Sequence, residues 1–328
     1  MAHKGYGLRA ALVAAIALAL GVRAAVAADL TQFTAGDIVI DTTIGSADNA
    51  ASPITLKEFS LGAGGTTASF VGSLTLPQTN SGNNHAISGE YGSSSEGILQ
   101  LSTDGKLLTI GGYGVNAAYF NANTALFGNA ALAQTTSLIN QAYITVPRVV
   151  AAINADAEVD TSTALTGVFN TNNIRSVTTV DGSSFYVSGQ GASKTDTATQ
   201  GVFLAQDGAT TATGVDNTTD TRVVSIVDST LYVSRDRKPS SGPNNSSNVS
   251  SLTAPSGGLP TSSAGLVTTR IVPGAASVNG GNTASIDLTA QTANGVNNSR
   301  IGKFVYVSPE QFFFASDDVL YVADSGVP

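Results

Sequence analysis

The stretch Thr221-Arg222-Val223-Val224-Ser225-Ile226-Val227-Asp228-Ser229-Thr230-Leu231-Tyr232-Val233-Ser234-Arg235 is two β-rich runs joined through an aspartate. β-Branched and aromatic residues favour the extended backbone, and an aspartate at the join can hydrogen-bond the backbone that follows it. The stretch therefore reads as a β-hairpin. Three other places repeat its plan. Ile98-Leu99-Gln100-Leu101 turns through Asp104-Gly105 to Leu107-Leu108-Thr109-Ile110, and Ile174-Arg175-Ser176-Val177 turns through Asp181-Gly182 to Phe185-Tyr186-Val187-Ser188. Phe312-Phe313-Phe314-Ala315 turns through Asp317-Asp318 to Leu320-Tyr321-Val322-Ala323.

The turn aspartates at 104, 181, 228 and 317 lie 77, 47 and 89 residues apart. An interval of 47 matches one four-stranded propeller blade. The longer intervals suit a blade with loop insertions, or two blades of which one has diverged. The fold class expected is all-β, a β-propeller of repeated antiparallel hairpins, truncated or open. A two-sheet sandwich with fortuitous internal similarity is the competing architecture.

Residues 1–27 read as a secretory signal: Lys4 and Arg9, an apolar run from Ala10 to Leu20, and a small-x-small site at Ala25-Val26-Ala27. The propeller domain is expected over 28–328. Residues 238–264, rich in Ser, Asn, Gly, Pro and Thr, read as a mobile insertion. Ser193–Asp220 is similar, interrupted by a strand at Val202-Phe203-Leu204. Ala125–Gln141 reads as a long loop with a helical turn. A new blade begins at Leu320, so closure is expected to rely on N-terminal strands such as Asp37–Asp41 and Thr55–Phe59, or else the chain is truncated.

The 328 residues include no cysteine, no tryptophan, two histidines and one methionine, with a formal charge of −8. Thiolate chemistry, disulfides and cysteine-ligated metals are excluded. Nucleic acid is a poor partner for a chain with 15 basic and 23 acidic residues. Loss of the signal would remove Lys4, Arg9 and Arg23, leaving 12 basic residues and a net charge of −11. The mature protein is expected to be secreted, whether extracellular, on the cell surface or periplasmic, and not inserted in the membrane.

Ser95-Glu96-Gly97-Ile98-Leu99, Ser102-Thr103-Asp104-Gly105, Asn172-Asn173-Ile174-Arg175-Ser176-Val177, Thr221-Arg222-Val223-Val224 and the Phe312–Asp324 hairpin occur in that order. Together they resemble the motifs of exported bacterial β-propeller proteins of uncharacterised function. The resemblance spans most of residues 36–328. It implies a secreted propeller that continues past Pro328, and it carries over no catalytic residues.

His85 is the one histidine beyond the signal, and its surroundings contain no nucleophile elbow, so a serine triad is not expected. Asn154-x-Asp156-x-Glu158-x-Asp160 alternates oxygen ligands but lacks the glycine and distal glutamate of a calcium loop, and a hairpin turn explains it as well. The glycine runs Gly62–Gly65 and Gly111–Gly114 precede no helix and read as loops. No metal or cofactor is expected.

The remaining candidates are Arg148, Arg175 and Arg222, each opening an apolar strand, and Glu96, at a comparable place in the first repeat. On equivalent blade positions the guanidinium groups would converge on a channel mouth and bind an anion. Alternatively, each pairs with an acidic neighbour or backbone carbonyls and bridges adjacent blades. The function expected is a binding or interaction module whose partner is a protein, polysaccharide or small anion. The alternative is a lactonase-like hydrolase or a lyase, with the arginines holding an acidic substrate and Glu96 as acid or base.

Overall fold

The computed structural model describes residues 29–45, 47–93, 95–193, 195–235, 248–270, 309–316 and 319–324. The expected signal segment 1–27, residues 238–247 and the Asp317-Asp318 turn lie outside the described residues.

The fold is all-β and its sheets are antiparallel. Nine strands form the first sheet: β1 (Ile38–Thr43), β2 (Ala51–Leu61), β3 (Ala68–Thr75), β4 (Ser88–Glu90), β5 (Gln100–Leu101), β6 (Leu107–Tyr113), β7 (Arg148–Asn154), β8 (Val159–Asp160) and β9 (Ala164–Leu165). Its main path runs β1-β2-β4-β6-β7-β8. The second sheet is a meander of β10 (Ile174–Thr179), β11 (Ser184–Gly189), β12 (Gly201–Gln206) and β13 (Thr213–Asp216). A second meander follows: β14 (Thr221–Val227), β15 (Thr230–Arg235), β16 (Asn248–Thr253) and β17 (Val267–Arg270). β18 (Pro309–Ser316) and β19 (Val319–Asp324) form a final hairpin.

All four hairpins expected from the repeated plan form as antiparallel pairs: β5 with β6, β10 with β11, β14 with β15 and β18 with β19. In the third, Val227 pairs with Thr230, so Asp228 and Ser229 alone make the turn, with φ of 46° and 58°. Two consecutive positive φ values match the right-handed twist of the flanking strands. A serine in this region is strained where glycine is not. Ser229→Gly is expected to raise stability by about 1 kcal/mol, read as a higher urea midpoint with unchanged slope.

The sheets meet through β6, inside the first sheet, and the first strands of the other three. β10 lies against both β6 and β14, and β14 lies against β18. All six residues of β10 are buried, as a strand covered on both faces must be. Phe169, Ile174, Val177, Phe185 and Val187 fill the space between the first two sheets, with Phe120 and Phe127. Tyr186, Val202, Val215, Val224, Leu231, Val233 and Leu252 join the two meanders. Val223 and Val249 pack with Phe312 of β18.

Two expectations change and one is met. The insertion assigned to 238–264 contains β16, whose Val249 and Leu252 are completely buried. Each such burial contributes about 1.5–3 kcal/mol, so two apolar residues hold a strand that composition alone assigns to loop. The helical turn expected in Ala125–Gln141 forms as α2 (Thr124–Phe127), with loop after it, and a further short helix, α1 (Ala117–Ala122), precedes it. Asn116 caps α1 by accepting from the Tyr119 amide at 2.8 Å, and Gly128 ends α2 at φ 77°. Finally, Gly111 and Gly112 are not loop residues but sit inside β6. A Cβ on Gly111 would come within 2.8 Å of Ile174, so the missing side chain lets β6 and β10 approach.

Candidate functional site

A polar cleft of about 630 Å³ opens where the end of β4, the loop after it, and the loops around 129–134 and 171–173 meet. Amides and hydroxyls dominate its lining: Asn49, Ser93, Ser95, Asn129, Gln134, Thr171, Asn172 and Asn173, with the carboxylate of Glu90. Glu90 is 8% exposed, and its Oε2 accepts from the Ala133 amide at 2.7 Å. Burial raises its pKa, while the Ala133 hydrogen bond and the charge of Arg148 oppose the rise.

Glu96 stands beside this cleft, in contact with its walls. Its Oε1 accepts from the Tyr113 hydroxyl at 2.5 Å and from the Asn173 side-chain amide, and its Oε2 lies 3.4 Å from the Glu90 amide. Burial pushes the Glu96 carboxyl up to about 7, against the Tyr113 and Asn173 hydrogen bonds, and the Glu90 carboxylate pushes in the same direction as burial. The Tyr113 phenol is itself held well above its ordinary value by burial and by the neighbouring Glu96 charge. Tyr113 is therefore a donor at any ordinary pH. Glu96 changes charge near neutrality.

Arg148, at the start of β7, is fully buried. Its Nη1 donates to Val146 O at 2.8 Å, and its Nη2 is shared among the carbonyls of Ala133, Thr135, Phe169 and Asn172 at 2.9–3.2 Å. The guanidinium carbon sits 4.9 Å from the centre of the Tyr113 ring. Burial lowers its pKa, and Tyr113, Glu96 and Glu90 oppose that change. Two of the accepting carbonyls flank a strained turn, where Phe169 and Thr171 have φ of 48° and 53°. Arg148 thus holds the 169–173 wall of the cleft from behind.

Arg175 is 4% exposed and engages Asp220 at 2.7 Å, Thr221 O at 3.0 Å and Gln190 at 2.7 Å. It bridges the two meanders, a task shared by Arg235, which pairs with Asp216. Arg222 donates to Ser95 Oγ at 2.9 Å, next to Glu96. The structure therefore brings Glu96, Arg148 and Arg222 toward one region but turns Arg175 elsewhere. Arg148 and Arg175 are occupied by backbone carbonyls and an acidic neighbour, the bridging alternative raised by the sequence, so neither offers its guanidinium to an anion. Tyr113 and Glu90 complete the site but stand out by no local pattern, and Asn173 joins them from the Asn172–Val177 motif, in which Arg175 alone is a candidate from the sequence.

Asn154 and Glu158 bond each other across the β7–β8 turn, at 2.7 and 2.9 Å, with Asp156 and Asp160 exposed. His85 pairs through its backbone with Thr161. Among the described residues there is no group of three or more His, Asp or Glu placed to hold a metal ion, and no helix long and apolar enough to cross a membrane. No protein-family model matches the chain, and none of the curated proteins matches it.

Proposed function

We propose that the chain is an exported β-propeller binding module whose ligand site is the polar cleft at Glu90 and Asn173. Support for the propeller comes from two consecutive four-stranded meanders and from the succession of contacts in which β10 touches β6 of the first sheet and β14, and β14 touches β18. Support for export is the basic, apolar and small-residue pattern of residues 1–27.

The observation that carries the binding reading is the cleft lining: amides and hydroxyls that both donate and accept, gathered from several loops around one carboxylate. That chemistry suits a polyhydroxylated ligand such as an oligosaccharide. A small anion would meet Glu90 rather than a free guanidinium. In a thermal-shift screen of the full chain, a matching oligosaccharide is expected to raise the midpoint by a few degrees, organic acids to leave it unchanged, and Asn173→Ala to abolish the shift. A shift by acids alone, or one that survives Asn173→Ala, would count against this site.

One observation favours a second reading, a hydrolase or lyase: Glu96 titrates near 7, where an acid–base catalyst is most effective. The two readings separate on Glu96→Gln, which leaves binding intact in the first and removes turnover with a retained complex in the second.

A further inference from the structure

A second cavity, of about 460 Å³, lies away from the cleft, between the loop 33–37 and the first sheet. Its walls are apolar: Phe33, Val39, Leu99, Leu101, Leu108 and Ile153. Five of these also belong to or pack on the sheet's core, so the cavity is an opening into that core. Leu101 is 59% exposed and stands at the mouth.

Behind the loop is a buried carboxylate. The core-facing row of β2 runs Ile54, Leu56, Glu58, and each of the three is 1% exposed or less. Glu58 pairs in register with Val39 and its Oε1 accepts from the Thr34 amide at 2.6 Å, so it adjoins two residues of the cavity wall. Its Oε2 is buried and, among the described residues, has no hydrogen-bond partner. Glu58 itself does not line the cavity but stands behind its wall, and a buried polar atom left unpaired is costly, so its Oε2 can gain from a donor. A second carboxylate, Asp37, lines the cavity, and the one cation there, Lys106, is paired with Asp104 at 3.0 Å.

We propose that this cavity binds an amphiphilic cation, an apolar chain or ring carrying a protonated amine, with the apolar part against Leu99, Leu108 and Ile153 and the ammonium directed to Glu58 and Asp37. The volume falls in the range of small-ligand sites. The acidic protein, with a formal charge of −8, favours a cation over an anion on approach. An alkyl carboxylate would place its charge against Glu58, and an alkanol would donate but bring no charge.

The test uses the full chain at pH 7 with three probes of one chain length: n-decylammonium, 1-decanol and decanoate, followed by calorimetric titration. Saturable binding of decylammonium is expected, at least ten-fold tighter than the alcohol, with decanoate weakest. Glu58→Gln keeps the shape and the Thr34 bond, and should remove the preference for the amine. Leu101→Arg, at an exposed position on β5, should weaken decylammonium binding about ten-fold. The proposal fails if decylammonium does not saturate, if decanoate binds as tightly, or if a folded Glu58→Gln retains the preference. Should Glu58→Gln not fold, Leu101→Arg decides, and undiminished amine binding there overturns the site.

Discussion

Arg148→Met is expected to lower the stability of the protein by about 4 kcal/mol, within the range for removing one member of a buried charged network. Methionine fills much of the same volume, so the loss isolates the polar contacts. Five carbonyls lose their donor, and those of Ala133, Thr135 and Phe169 belong to buried or strained backbone that water reaches poorly. Glu90 and Glu96 lose the one buried positive charge that favours their ionised forms. Arg148→Lys restores charge but not the planar fork, and should recover about half of the loss. The readout is the urea midpoint at constant slope. Because the carbonyls of Phe169 and Asn172 frame the cleft wall, ligand binding in Arg148→Lys should fall further than stability does.

Glu96→Gln is expected to make the protein more stable at pH 8, by up to an amount on the order of 3 kcal/mol, while leaving it unchanged near pH 4. The ordinary value for glutamate is 4.5, and in the fold Glu96 reaches about 7. Between these values the native state holds a proton that the unfolded state has released. Stability therefore falls as pH rises through this window, and above 7 the native state carries the full cost of a buried charge. Glutamine mimics the protonated acid, keeps an acceptor for Tyr113 and Asn173, and has nothing to ionise. A plot of unfolding free energy against pH should lose most of its downward slope between pH 5 and 8. A smaller slope of the same sign remains from Glu90 and Asp41, both raised by burial. Asp196 is lowered by its hydrogen bonds to Thr199, Ala192 and Ala198, so its contribution is lost only in stronger acid, outside this window.

The hairpins were legible because their cause is local. Alternating Val, Ile, Tyr and Phe with an aspartate at the turn needs only a dozen residues, and Asp228 and Ser229 take up the turn that this pattern implies. β16 was not legible, because its stability comes from the partners of Val249 and Leu252 on other strands rather than from its own composition. Gly111 misled for the same reason: its meaning is Ile174, which is 63 positions away.

The site divides in the same way. Glu96 was found from its place in the repeat, but its partners Tyr113 and Asn173 lie 17 and 77 residues away and share no motif with it. The arginines were legible as a set of strand-opening positions, with carbonyl or acidic partners as one of two alternatives, but the identity of those partners was not. Nothing in Arg148-Val149-Val150 announces that the guanidinium points inward to five carbonyls. A charged residue starting a strand reads as solvent-facing unless the far side of the fold is known.

Gln100 draws a consequence for how the molecule is assembled in time. Its Nε2 donates at 2.6 Å both to Ser176 Oγ on β10 and to Val224 O on β14, across separations of 76 and 124 residues, next to the parallel bridge from Ile98 to Ser176. The hairpins β10–β11 and β14–β15 close through connections of four and two residues, whereas this joint ties together segments 76 and 124 residues apart and carries the larger loop-closure entropy. The local hairpins are expected to form before the seam. In the native ensemble the same seam is the natural place for the sheets to part before any of them unravels.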